Sequence, residues 1–193
     1  MSIEKIKKNF LDQSTDFVKK NFKSVVILLF AGFVFFSIFL FYKNSIDKNN
    51  IKISEKYTQA SILIKQKKIK ESKSILVSII NKDHKFYSPL ALYLIIDNNI
   101  EKDYSKIIIF FNKVLKNKSI NKENINLIKI KKAIYLINID KEKLIIETLN
   151  PVINSDSVWK NMAINLITEY FLSKEQKVKA QEYFQLLNKE QSK

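Results

Sequence analysis

From about residue 53 to the end, apolar residues recur every three or four positions, and no stretch alternates strictly. That spacing places them on one face of a helix, so the chain reads as all-α. The clearest stripe joins Val158, Trp159, Met162, Ala163, Leu166, Ile167, Tyr170 and Phe171, with Lys160, Asn161, Asn165 and Glu169 on the other side. Other stripes run through Ile69, Leu76, Ile79 and Ile80, and through Leu90, Ala91, Leu94 and Ile95. Tyr104, Ile107, Ile108, Phe111, Val114 and Leu115 form one more. So do Leu144, Ile145, Leu149, Val152 and Ile153, and finally Ala180, Tyr183, Phe184 and Leu187.

Polar breaks separate the stripes at residues 65–68, 81–85, 98–103, 116–124, 138–141, 154–157 and 173–177. Asparagines in these breaks can supply the left-handed conformation that closes helices, where glycine is missing. Ser155, Asp156 or Ser157 can cap the helix that follows. The pattern predicts about eight helices in four hairpins, with first helices beginning near 53, 86, 123 and 158. A period near 34 is that of tetratricopeptide (TPR) repeats, in which each hairpin covers the apolar face of its neighbour. Ala60 and Ala133 supply the small residue deep in a first helix, Leu76 and Leu149 the large one 16 positions later, and Ala180 with Phe184 the final step. The array is degenerate, because no glycine lies in any repeat.

The N-terminal quarter follows a different rule. Val25–Tyr42, VVILLFAGFVFFSIFLFY, carries no charge, and its phenylalanines at 30, 33, 35, 36, 39 and 41 point all round a helix. Eighteen residues at about 1.5 Å each cover about 27 Å, the thickness of a bilayer core. Twenty-four residues precede the run and no small-x-small site follows it, which argues for an uncleaved anchor over a signal peptide. The predicted organisation is a cytoplasmic segment 1–24, a transmembrane helix 25–42, a linker 43–52 and a TPR-like domain 53–190. Residues 5–24 hold six lysines and residues 43–62 hold four, which favours a cytoplasmic N-terminus and an exported C-terminal domain. In the N-terminal segment, Ile6, Phe10, Phe17 and Phe22 stand among lysines, a pattern suited to the inner membrane surface or to a solvated tail.

Composition removes most chemistry. The chain of 193 residues has 1 glycine, no cysteine and 1 histidine. Glycine-rich nucleotide loops, cysteine nucleophiles and multi-histidine metal sites are therefore excluded. The net charge of +15 suggests an anionic partner, but every base is lysine. Arginine, which reads phosphate and guanine bidentately, is absent. With 34 Lys, 31 Ile and 19 Asn, the excess reflects AT-rich coding, and no nucleic-acid partner is expected.

No catalytic, cofactor-binding or metal-ligating residue is predicted. His84 in Asn81-Lys-Asp-His-Lys reads as a solvated loop residue, and carboxylates such as Glu71, Asp97, Glu101, Glu169 and Glu175 as surface charges. Partner-binding candidates are Tyr87, Tyr93, Tyr135 and Trp159, because aromatics concentrate binding energy. For Trp159 the stripe also predicts a core position, and for the tyrosines core and groove edge stay open.

Three segments carry a family resemblance: Tyr87-Ser-Pro-Leu-Ala91-Leu-Tyr93-Leu; Leu149-Asn-Pro151 followed by Trp159-Lys-x-x-Ala163-x-x-Leu166; and Ala180-x-x-Tyr183-Phe184. With the anchor and four degenerate hairpins, the chain resembles the membrane-anchored TPR-like proteins of the YfgM type, ancillary subunits of the SecYEG translocon. The ending is similar to the alphaproteobacterial branch, with Lys160 where arginine is usual. The resemblance implies a single-pass inner-membrane protein whose periplasmic domain meets the translocon and periplasmic chaperones. The expected function is a non-enzymatic scaffold. The alternatives are a self-associating envelope-organising protein and a cytoplasmic-facing lysine-rich domain on anionic lipid or nucleic acid.

Overall fold

The computed structural model describes residues 21–191, which form eight helices and, within those residues, no strand. They are α1 (Phe22–Lys65), α2 (Ile69–Ile80), α3 (Tyr87–Asp97), α4 (Tyr104–Leu115), α5 (Lys122–Asn138), α6 (Glu142–Ile153), α7 (Lys160–Ser173) and α8 (Lys177–Gln191). The chain divides into two compact units between Lys52 and Ile53. Most of the segment expected at 1–24, with Ile6, Phe10 and Phe17, lies outside the described residues.

In the first unit, residues 25–42 of α1 are apolar on every side, and none of the helix's most apolar window is buried. It is long and apolar enough to cross a bilayer. The one hydroxyl between Val25 and Phe41, on Ser37, donates to the Phe33 carbonyl at 2.9 Å, so it needs no water. Residues 43–52, expected as a linker, are helical and continuous with it. They contain neither glycine nor proline, so nothing in them breaks the backbone hydrogen-bond ladder.

In the second unit each helix packs on its chain neighbours, and alternate helices also meet, α2 with α4 and α5 with α7. Small residues allow the closest approaches. Ala60 is fully buried, and the Ser72 hydroxyl of α2 donates to its carbonyl at 3.0 Å. The Ser88 hydroxyl of α3 donates to the Ile79 carbonyl of α2 at 2.9 Å. Leu76, Leu149 and Ala133 are fully buried, as their spacing predicts.

The core has two clusters, one from Ile53 to Ile128 and one from Ile130 to Ala180. Helix α5 belongs to both. Its buried residues Asn126, Ile128, Ile130, Lys132, Ala133 and Leu136 spread over more than half of its circumference, so it lacks a narrow stripe. Burial forces Lys132 to find a partner, and its ammonium donates to Asn112 Oδ1 at 2.9 Å.

Four turns close in the same way. After α1, α3, α5 and α7 a residue adopts a left-handed conformation: Lys67, Asn99, Asp140 and Glu175, with φ between 48 and 60°. The next N–H then reaches back to the last helical turn: Lys68 to Leu63 O, Ile100 to Ile95 O, Lys141 to Leu136 O and Gln176 to Phe171 O, at 2.9–3.1 Å. Asparagine was expected to supply this conformation, but only Asn99 does so. Asn81, Asn98 and Asn154 take negative φ.

Polar ties connect residues about one period apart. Asn117 Nδ2 donates to the Asp83 carbonyl. The Ser157 hydroxyl donates to Glu123 Oε2 at 2.7 Å, and Gln176 Nε2 to Glu142 Oε2 at 3.2 Å. Each of these three pairs spans 34 residues. Of the three cap candidates before α7, Ser157 accepts from the Trp159 N–H at 3.2 Å, but Trp159 itself holds the N-cap position, with no side-chain cap.

The stripe on α7 is shifted from its expected position. Ala163, Ile164, Ile167, Thr168, Tyr170 and Phe171 are buried, while Val158 and Met162 are exposed. Phe184 on α8 is 49% exposed, because no further hairpin within the described residues covers that face.

A left-handed lysine costs about 1–2 kcal/mol relative to glycine, partly offset by the backbone entropy of glycine. Lys67→Gly should therefore keep or slightly raise the melting temperature, whereas the β-branched Lys67→Val should lower it by several degrees. Thermal denaturation followed by circular dichroism reads both, and a Val variant that melts above the Gly variant would contradict the turn geometry.

Candidate functional site

Helices α3 and α5 run on either side of α4 and leave a groove of about 200 Å³ between them. Tyr93, Ile96 and Asp97 line it from α3, spaced three and four residues apart so that they share one face. Lys131, Ile134, Tyr135 and Asn138 line it from α5 by the same rule, and Phe111 of α4 forms the floor. Phe111 is fully buried and its ring lies 6.1 Å from that of Tyr135. The Lys131 ammonium sits 4.8 Å from the centre of the Tyr93 ring, a cation–π contact. Ile134 is 44% exposed at the lip.

Burial pushes the Tyr93 hydroxyl up to about 12. Burial also raises Tyr135, with the negative charges of Asp103 and Glu101 adding to it. Both phenols therefore stay protonated and available as donors at neutral pH. A site of about 200 Å³ is smaller than the pockets that enclose cofactors or drug-sized ligands. It matches one large apolar side chain, with phenol, ammonium, carboxylate and amide groups at its rim. Among the described residues no group of histidines and carboxylates could hold a metal ion.

Two of the four aromatic candidates, Tyr93 and Tyr135, thus meet in one groove. The other two lie elsewhere. Tyr87 opens α3 and packs its ring against Tyr57 at 5.6 Å, His84 at 5.1 Å and Phe86 at 5.2 Å. Trp159 precedes α7, half-buried against the second core cluster. Sequence reasoning missed Lys131, Ile134, Ile96, Phe111 and Asn138. The spacing 131, 134, 135, 138 was a usable signal, hidden because α5 is apolar on several faces.

Two polar residues differ from expectation. His84 is not a merely solvated loop side chain: its Nδ1 accepts from the Phe86 N–H at 3.1 Å and the Tyr87 N–H at 3.0 Å, capping the start of α3. Burial, helped by Lys85, lowers its pKa below the ordinary value of 6.5, as a ring that must accept through nitrogen requires. Glu101 is not a surface charge either. Its side chain is 6% exposed, pairs with the Lys73 ammonium at 2.7 Å and accepts from the Asp103 N–H at 3.1 Å. The hydrogen bonds from Lys73 and Asp103 hold its carboxyl below the usual range, so it remains ionised and structural.

Compared with known protein families, curated proteins and solved structures, the chain matches none.

The cap of α3 sets a pH dependence. A histidine whose folded pKa lies below its unfolded value stabilises fully above the unfolded value, and that stability is lost as pH falls through the folded one. The melting temperature should therefore fall on acidification below pH 6.5. His84→Asn, which keeps an acceptor, should flatten this component. His84→Ala should cost about 1 kcal/mol at neutral pH, and an unchanged melting temperature there would refute the cap. Trp159→Ala should cost about 2 kcal/mol, less than the loss of a fully buried aromatic, as read by urea denaturation.

Proposed function

We propose that the protein is a non-enzymatic scaffold, anchored in the inner membrane by residues 25–42, that presents a TPR-like array to protein partners from the periplasmic side. The observation that carries this reading is the groove between α3 and α5. It combines a hydrophobic floor, two protonated tyrosines and a lysine, the mixture found where binding energy concentrates. The 34-residue ties and the four alike turns support a TPR-like register. The resemblance to the YfgM type points to the translocon and periplasmic chaperones as the partners. An anchor would act by proximity, raising the local concentration of the groove at the membrane.

A photo-crosslinking residue in place of Ile134, in native membranes, tests this directly. It should crosslink to envelope proteins, and the same residue in place of Lys143, exposed at the start of α6, should not. Ile134→Asp should abolish partner capture with little change in melting temperature, since the side chain is at the lip. A crosslink confined to a second copy of the chain would support the self-associating alternative. Equal crosslinking at both positions would remove the groove from the account.

A further inference from the structure

The loops between the helices differ in charge. Residues 81–86, which connect α2 to α3, and residues 113–122, which take in the end of α4, its connection to α5 and the first residue of α5, hold Lys82, Lys85, Lys113, Lys116, Lys118 and Lys122 against a single acid, Asp83, whereas the α6–α7 connection, 154–159, holds Asp156 and no lysine. That acid is itself neutralised by Lys113 at 3.5 Å. Three of the turns at the other ends, 98–103, 139–142 and 174–177, carry five acids and four lysines. The fourth, 65–68, carries three lysines but no apolar side chain.

The two basic loops form one surface. Asn117 of the second loop donates to the Asp83 carbonyl of the first, and Lys113 pairs with the Asp83 side chain. Phe86 stands 59% exposed among the lysines, and its ring is held edge-on against Tyr87 at 5.2 Å. The chain also enters this unit at the same edge, where Tyr57, close to its first residue Ile53, meets Tyr87.

An exposed phenylalanine on a lysine-rich loop edge is poorly suited to a protein–protein interface, where lysine is depleted relative to the rest of the surface. It is well suited to a bilayer surface, where phosphates attract the lysines and the ring enters the headgroup boundary. We infer that this loop edge binds the phosphates of anionic lipid head groups. The bilayer is chosen over other polyanions because the same chain carries a helix able to cross one. The inference rests on the anchor reading of that helix and is independent of the groove.

The test uses the full chain held in phosphatidylcholine nanodiscs and mixed with sucrose-loaded vesicles. The chain should sediment with phosphatidylglycerol vesicles and not with phosphatidylcholine vesicles. Each lysine near an anionic surface is worth about fivefold in binding, so Lys85→Gln, Lys116→Gln and Lys118→Gln together should weaken it roughly a hundredfold. Phe86→Ser should weaken it about tenfold. The control Lys67→Gln, Lys70→Gln and Lys177→Gln removes the same charge from exposed positions elsewhere and should have little effect. Equal loss in the control would mean a diffuse charge effect and would overturn the assignment. So would binding to both lipids alike. Capture of an RNA homopolymer through the same three lysines, with the vesicles left unbound, would overturn it in favour of a nucleic-acid surface. A chain that fails to enter the nanodiscs contradicts the anchor, an outcome read from disc assembly before any vesicle is added.

Discussion

A two-helix hairpin cannot bury its own apolar face. Twelve-residue helices such as α2, α4 and α6 bury one side against their partner and leave another that only a neighbouring hairpin can cover. The second unit depends on this constraint throughout. Its core is a succession of shared faces, and α5 carries the junction, with Ile128 in one cluster and Ile130 in the next. On α8, where no further helix among the described residues covers the outer face, Phe184 remains half in water.

The groove follows from the same geometry. When alternate helices lie side by side over an intervening one, a furrow forms wherever their side chains do not fill the gap. Between α3 and α5 the gap is lined by tyrosines, whose hydroxyls tolerate a wet edge while the Tyr135 ring packs on Phe111. The turns had to close without glycine, since Gly32 lies in the apolar segment of α1. Lysine, aspartate and glutamate accept left-handed backbone there because each turn recovers backbone hydrogen bonds in return.

Helix existence was legible in the sequence because amphipathic spacing is a local property. The breaks at 65–68, 98–103 and 138–141 lie within a residue or two of the observed helix ends. The small-residue crossings were legible at Ala60 and Ala133, since few residues permit close backbone approach. What failed depended on neighbours distant in the chain. Helix α5 showed no narrow stripe because its buried residues, polar Asn126 and Lys132 among them, spread over more than half of its circumference. The α7 stripe was misplaced because Ile164 faces the core while Met162 does not. His84 was misread because its cap is a backbone event three residues long that no composition reveals. Of the groove, Tyr93 and Tyr135 were readable as aromatics, but their meeting was a fact of packing between α3 and α5.

The two core clusters meet at α5, and both the stack and the groove depend on that junction. Trp159 is the single tryptophan and packs on the second cluster, while Phe111 belongs to the first. The most direct measurement is urea unfolding of Phe111→Ala followed by Trp159 fluorescence and by circular dichroism. A buried phenylalanine lost to alanine costs about 3–5 kcal/mol. If the core is shared, both signals shift to lower urea together. If the fluorescence midpoint stays at the parent value while circular dichroism falls in an earlier step, the two clusters are independent and the account is wrong.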